Sequence, residues 1–310
     1  MSLGSLIAAD RGDPVEKSVV SDLGKALGTR APDQRAKGWH PSSLMDMCPR
    51  FETLKQLINT DEIRDPGHSP RTQMIFDVGN ALHEWWQEQY FGPMQVLKGK
   101  WRCVRCGYVT SGMVLMPNRP HACGEDDGPS ITDGKIITLG NNRSWKFDEV
   151  RVTNDEWGVV GHSDGIYVLG KDSPQEEEVV LDIKTAGPTF WAGGGRVYPS
   201  NIFQVNIYMW LLGLKKSILL YVDKGGAERS LDLMCKEVEV LYNDTYRKDA
   251  CLKIDAYRHG VKTKTLPSRM ATCELRPSCA KAKGCPAKAI CLSDKKSASI
   301  EKAWGIVETL

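Results

Sequence analysis

Hydrophobic side chains recur along this chain with two different periods, and the switches between them mark its elements. Over residues 71–91 (RTQMIFDVGNALHEWWQEQYF) Ile75, Val78, Leu82, Trp85, Trp86 and Tyr90 return at helical spacing, which predicts a helix with His83 inside it. Residues 145–152 and 157–169 read as strands, and a polar turn (KDSPQEEE, 171–178) leads into EVVLDIKTAG, an apolar strand that ends in charged residues. A helix follows over 200–213, with Ser200 as its cap and Gly213 as its stop. Strands at 218–224 and 236–244 come next, then a helix over 242–258 that ends near Gly260. Nearer the start, Ser42 or Ser43 can cap a short helix leading to Cys48-Pro49-Arg50, and Pro49 suits the first turn of a helix over 49–59. No repeat of domain size is present.

These elements divide the chain. Residues 1–38 are polar and aperiodic, and read as a flexible leader. A helical part spans 39–98. Residues 99–128, rich in Cys, Gly, Pro and Asn, read as a small metal-bound insertion; an α/β core spans 129–262 and a cysteine-rich tail 263–310. A hydrophobic content of 41% over 310 residues supports one large domain with insertions, or two modest ones. The net charge of only +2 means that nucleic-acid binding must rest on a local basic surface. The chain lacks an apolar run of about 18 residues and a secretory signal, so a membrane span is not expected and the cytoplasm is. Ten cysteines in such a chain favour metal ligation over disulfides.

Asp182 and Lys184 lie two apart on a strand, so both point to one face. A carboxylate that holds Mg²⁺ or Mn²⁺ beside an amine that orients or deprotonates water suits phosphodiester hydrolysis. Asp164, in GHSDG, can join Asp182 through a hairpin turning near Ser173, and two carboxylates sharing a hard cation neutralise charge that develops on phosphate. Gln204 and Tyr208, four apart on a helix, share a face. His162 reads as a packed strand residue, and Glu176–Glu178 as a solvated turn. Alone, D-x-K is better read as a surface ion pair at a strand end; the ordered series of Gly79/His83, Gly161/Asp164, Asp182/Lys184/Thr185 and Gln204/Tyr208 raises it above that.

That series resembles the RecB-like branch of the PD-(D/E)xK nucleases, with its G-x-x-x-H, G-x-x-D, D-x-K-T and Q-x-x-x-Y pattern, over about residues 40–292. The resemblance implies a restriction-endonuclease-like α/β core, a mixed central sheet flanked by helices. It implies that His83, Asp164 and Asp182 ligate the catalytic metal with help from the Ile183 carbonyl, that Lys184 is the catalytic lysine, and that Gln204 and Tyr208 support the site or meet DNA. The implied activity is a Mg/Mn-dependent deoxyribonuclease acting on DNA ends or single strands in recombination, repair or phage DNA processing. The rival reading is a non-catalytic or partner-dependent DNA-binding subunit of a larger recombination complex. No G-x-x-x-x-G-K-[ST] loop is present, so any unwinding must come from elsewhere. Arg196, Lys281, Lys283 and Lys288 can meet phosphates, and Trp191 or Tyr198 can stack bases.

The same branch often carries a [4Fe–4S] cluster held by one cysteine before the His motif and three in the tail. Cys48 fits the first place, and Cys285-Pro286 and Cys291 match the closing C-P-x-x-x-x-C. The family's preceding C-x-x-C is missing, since residue 282 is alanine. Cys279 is assigned the remaining place, with Cys273 as its alternative; a zinc site confined to the tail is the rival reading. The second group, Cys103-x-x-Cys106-Gly followed by His121-x-Cys123-Gly, reads as a zinc-ribbon knuckle pair. Cys235 and Cys251 read as ordinary buried thiols.

Overall fold

The computed structural model describes residues 37–57, 69–118, 121, 131–132, 135–136, 145–224, 234–275 and 283–307. The first helices are α1 (Pro41–Leu44), α2 (Pro49–Leu57) and α3 (Pro70–Trp86), and a single π turn, Gln87–Phe91, extends α3. Ser69 caps α3 by accepting the Thr72 N–H at 3.2 Å, with Pro70 in the first turn. The strands β1 (Leu97–Cys103), β2 (Val114–Leu115), β3 (Ile131–Thr132), β4 (Lys135–Ile136), β5 (Trp145–Asp148), β6 (Val150–Asn154), β7 (Val159–Ser163), β8 (Gly165–Leu169) and β9 (Glu177–Ala186) follow. After α4 (Pro188–Ala192) and α5 (Pro199–Leu212) come β10 (Lys216–Asp223), β11 (Cys235–Leu241), α6 (Asp244–Thr263), α7 (Ala271–Leu275), α8 (Lys288–Cys291) and α9 (Asp294–Val307).

Seven strands form one mixed sheet in the order β11-β10-β9-β8-β1-β2, with β5 also paired to β1. Only β9 and β10 run parallel, and α5 crosses between them as a parallel pair requires. The chain is therefore α/β with a central mixed sheet flanked by helices. β6 and β7 pair apart from it, Val150 opposite Ser163. Alternation along β9 decides where the charged residues go. Val179, Leu181 and Ile183 enter one core with Leu97, Trp101 and Ile218. Val180 and Ala186 enter another with Val205, Tyr208 and Met209 of α5. Asp182 and Lys184 share this second face. Burying Leu181 or Ile183 stabilises by roughly 1.5–3 kcal/mol each. A one-residue slip would drive Asp182 into the first core, so the register is firmly set.

α1, α5 and α6 meet through Leu44, Phe203, Ile207 and Ile254. α2 packs both on α6 and on the C-terminal segment, Leu54 against Ala287 with Phe51, Cys285 and Cys291 around them. Buried Arg50 ties these parts polarly: Nη1 donates to the Pro267 carbonyl at 2.8 Å and Nη2 to Ser297 Oγ at 2.9 Å.

Several expectations about boundaries need correcting. Neither Ser42 nor Ser43 caps α1; His40 is its N-cap residue and the Ser43 hydroxyl donates back to the His40 carbonyl. Pro199 rather than Ser200 opens α5, after Tyr198, although Gly213 does end it with φ +72°. α6 runs through Gly260 to a left-handed Lys264. Gly260 serves packing, since a Cβ there would meet Pro267 Cδ at 2.9 Å. Residues 157–169 are two strands on different sheets, broken at Asp164, and Gly165 at φ +142° supplies the break. His162 is exposed on β7, not packed. Glu177 and Glu178 begin β9 and pair with Lys216 and Lys98.

Among the described residues, no helix is long and apolar enough to cross a membrane.

Candidate metal centre

Four segments converge on Asp164. One face of α3 carries Gly79, His83 and Gln87 at spacings of four. A Cβ on Gly79 would touch Thr185 Oγ1 at 3.4 Å, so this face lies directly on β9. His83 Nδ1 is 3.3 Å from Asp164 Oδ1, and the buried Gln87 amide donates to the Asp164 carbonyl at 2.9 Å. Asp164 Oδ2 accepts the Ile183 backbone N–H at 2.6 Å. Ile183 thus meets the site through its amide while its side chain stays in the core.

Lys184 Nζ lies 2.9 Å from Asp182 Oδ2 and donates to Gln204 Oε1 at 3.0 Å, and Gln204 Nε2 donates to Tyr208 Oη at 3.1 Å. The Lys184 contact lacks hydrogen-bond geometry, which leaves the buried Asp182 Oδ2 without a hydrogen bond. Burial works to raise Asp164, but the charge and contact of His83, then Lys184 and the Ile183 N–H, outweigh it and hold the carboxyl below its ordinary range. Asp182 goes the other way: burial raises it, with the Asp164 charge adding and Lys184 opposing. Burial disfavours the charged Lys184, yet Asp182 and Asp164 more than offset that, so the amine is held protonated.

The structure adds a residue that the sequence reading passed over. Ligand atoms of His83, Glu149 and Asp164 all lie within 4.8 Å of one another, close enough to hold a metal ion. Asp182 stands outside this mutual group, against Lys184. The β6–β7 register carried one residue past Val150 and Ser163 sets Glu149 opposite Asp164. Although Glu149 lies at the surface, partial removal from water first, then the Asp164 charge, pushes its carboxyl up to about 7. The clustering of His83, Glu149 and Asp164 fits a cation, while the Asp182 oxygen is held by the Lys184 ammonium. The centre opens into a cavity of about 610 Å³ lined by His83, Glu149 and residues of β1, β5, β6 and β7.

Gly161 has a steric role here. A Cβ would come within 2.8 Å of Pro41 Cδ and 3.2 Å of Tyr208 Cε1, so the glycine lets α1 and α5 close over β7. Gly161→Ala is expected to lower stability by about 1–3 kcal/mol through overpacking. Urea unfolding checks this, and a midpoint at the wild-type value contradicts so close an approach.

Two cysteine groups lie elsewhere. Cys103 at the end of β1, Cys106 and His121 place their ligand atoms within 4.8 Å of one another and could hold a metal. The turn is knuckle-like: Cys103 N–H donates to the Tyr108 carbonyl at 2.7 Å, Gly107 N–H donates back to the Cys103 carbonyl, and Gly107 has φ +74°. Tyr108 stacks on the His121 ring at 4.1 Å. Cys123 lies outside the described residues. Cys48, Cys273, Cys285 and Cys291 line one cavity of about 430 Å³ between α1, α2 and the C-terminal segment. Burial raises the Cys48 thiol, and the neighbouring Cys291 and Cys285 add to the shift. Cys279 and Lys281 lie outside the described residues. Cys251 is buried and Cys235 only half-buried. Arg196 and Tyr198 line a separate cavity of about 340 Å³, away from His83, while Trp191 is half-buried against Phe190. Lys283 is exposed and Lys288 half-buried.

No protein-family model and no curated protein sequence matches this chain. Its structure overlaps an alkaline exonuclease, LHK-Exo, from Laribacter hongkongensis at 10% identity, covering 79% of this chain and 93% of that one, with a TM-score of 0.37. It overlaps SSO0001 at 14% identity over 89% and 97% of the two chains, with a TM-score of 0.39. A phage-related exonuclease from Haemophilus somnus 129PT overlaps at 14% identity over 35% and 56%, with a TM-score of 0.25. The chain is similar to these structures in outline, and what it does is argued from its own residues.

Proposed function

We propose that this protein is a metal-dependent deoxyribonuclease acting on DNA ends or single strands. The observation that carries the reading is the convergence of His83, Asp164 and Glu149 beside a buried Asp182 that is ion-paired to a protonated Lys184. His83, Asp164 and Asp182 are the residues to hold Mg²⁺ or Mn²⁺, with Glu149 at its edge. Such an ion supplies charge neutralisation at the phosphate and a lowered pKa for bound water. The chain's own part is positional. Asp182 and Gln204 fix Lys184 Nζ from two sides, so its protons face the reacting phosphate and the attacking water. Tyr208 acts through Gln204 and is a positioning residue. The Asp164 carboxylate is aimed by the Ile183 N–H and kept ionised by His83.

Two structural metals accompany the centre in this reading. Cys103, Cys106 and His121 bind Zn²⁺, with Cys123 as the fourth ligand. Cys48, Cys285 and Cys291 hold a [4Fe–4S] cluster, with the fourth place taken by Cys279 or by Cys273, which lines the same cavity. The zinc knuckle then forms an insertion on β1, and the cluster clasps α2 to the tail.

Digestion of end-labelled linear DNA beside closed circles tests the activity. Mn²⁺-dependent loss of linear single or double strands is expected, with circles spared and EDTA stopping the reaction. Nicking of circles at the linear rate would replace the end-dependent reading with an endonuclease, and inert DNA under Mn²⁺ would remove the nuclease reading altogether.

A further inference from the structure

The 610 Å³ cavity has an acidic end, at His83 and Glu149, and a second wall of opposite sign. Strand alternation builds that wall. On β1, Trp101 and Cys103 point inward while Lys100 and Arg102 point out; on β5, Phe147 is buried and Lys146 exposed; on β6, Val150 and Val152 are buried and Arg151 exposed. All four cations line the cavity onto which His83 and Glu149 of the metal centre face.

Their pairing is uneven. Arg102 lies opposite Lys146 in the β1–β5 register, a placement of like charges that destabilises a sheet. Each finds a carboxylate to offset it: Asp148 meets Arg102 at 2.6 Å and Glu84 meets Lys146 at 3.3 Å. Lys100 sits opposite Asp148 in register, but Asp148 gives both oxygens to Arg102. Lys100 and Arg151 form no ion pair among the described residues. Two cations without an ion pair, on two different strand pairs, therefore face the space onto which His83 and Glu149 open.

We infer that Lys100 and Arg151, flanked by Arg102 and Lys146, bind backbone phosphates of a nucleic-acid strand next to the one being cut. This rests on the nuclease reading and assigns its substrate path. The cations are strung along two strand pairs and do not converge on one point. A compact anion is held by converging donors, as at a helix N-terminus or a backbone nest. A row of separated cations matches a polyanion. It also answers a problem of the centre: Glu149, Asp164 and Asp182 repel an approaching phosphate until cations alongside offset them.

The test uses the full chain with cleavage blocked by EDTA. Binding of a labelled single-stranded oligonucleotide is followed by anisotropy across a salt series, for wild type, for Lys100→Gln/Arg151→Gln and for Lys262→Gln/Lys302→Gln, which removes the same charge from exposed positions elsewhere. Mn²⁺ binding is measured separately by calorimetry. Each phosphate contact to a single strand contributes about 0.7 to the slope of log affinity against log salt, so the first double variant should lose about 1.4 of slope. The loss should be the same for any base sequence, with Mn²⁺ affinity kept and the control variant at the wild-type slope. An unchanged slope in Lys100→Gln/Arg151→Gln, or an equal drop in the control, overturns this assignment and leaves the metal centre standing. A wild type that takes up neither Mn²⁺ nor oligonucleotide overturns the nuclease reading and this inference with it.

Discussion

Lys184→Met is expected to cut DNA about 10²–10⁴-fold more slowly than wild type, the range spanned by a positioned proton donor or acceptor. Its Mn²⁺ affinity should survive, because Lys184 is not among the metal-holding residues. Asp164→Asn, by contrast, should lose both. A second consequence separates Lys184 from an ordinary surface lysine. Its amine is the cation in contact with Asp182, which is 2% exposed. Removing one partner of a buried ion pair costs about 3–5 kcal/mol, because the other charge is stranded. The metal-free variant should therefore melt well below wild type, and Mn²⁺ should raise its melting temperature by more than it raises that of wild type. Wild-type cleavage by pure Lys184→Met protein would remove this lysine from the mechanism.

Cys48→Ala should bleach the protein. Anaerobically purified wild type is expected to be brown and to carry about four irons per chain, together with about one zinc. Cys48→Ala should lose the iron and keep the zinc, and Cys106→Ser should do the reverse, with elemental analysis reading both. The stability effect of the first is the larger one. A group bound only by the folded state stabilises it by mass action, and a cluster on these cysteines would also fill the cavity between α2 and the tail. The loss should exceed the 0.5–3 kcal/mol or so of a typical single substitution. A colourless anaerobic preparation holding two zincs and no iron would establish the tail zinc site instead.

The parts of the site legible in the sequence are those set by short-range periodicity. Asp182 and Lys184 share a face because strand side chains alternate, and Gln204 and Tyr208 because helix positions four apart do. The hairpin around Ser173 was equally visible, as a polar turn between two apolar runs, and it does pair β8 with β9. Glu149 was missed because its place depends on the register of β6 on β7. That register was in principle available, since the turn at Asp155–Gly158 fixes which residue faces Asp164. His162 was misread for a related reason: its neighbours Gly161 and Ser163 are buried, so alternation turns His162 outward. Gln87 carried a local signal too, four residues after His83. The contacts of Arg50 carried none, since their partners lie 217 and 247 residues away.

That last distance has a bearing on how the protein is made. At synthesis rates of about 5–20 residues per second, the segment carrying Ser297 follows Arg50 out of the ribosome by roughly 12–50 s. Until the tail emerges, the side of α2 that carries Leu54 and Phe51 lacks Ala287 and its neighbours, although α6 is already made and can pack on the helix, and the Arg50 guanidinium lacks its Ser297 acceptor. The sheet and α5 can assemble meanwhile from nearer neighbours. The nascent chain thus passes through a stage with a finished sheet and the tail-facing side of α2 uncovered, the stage at which an arrested or truncated product would be most prone to aggregate.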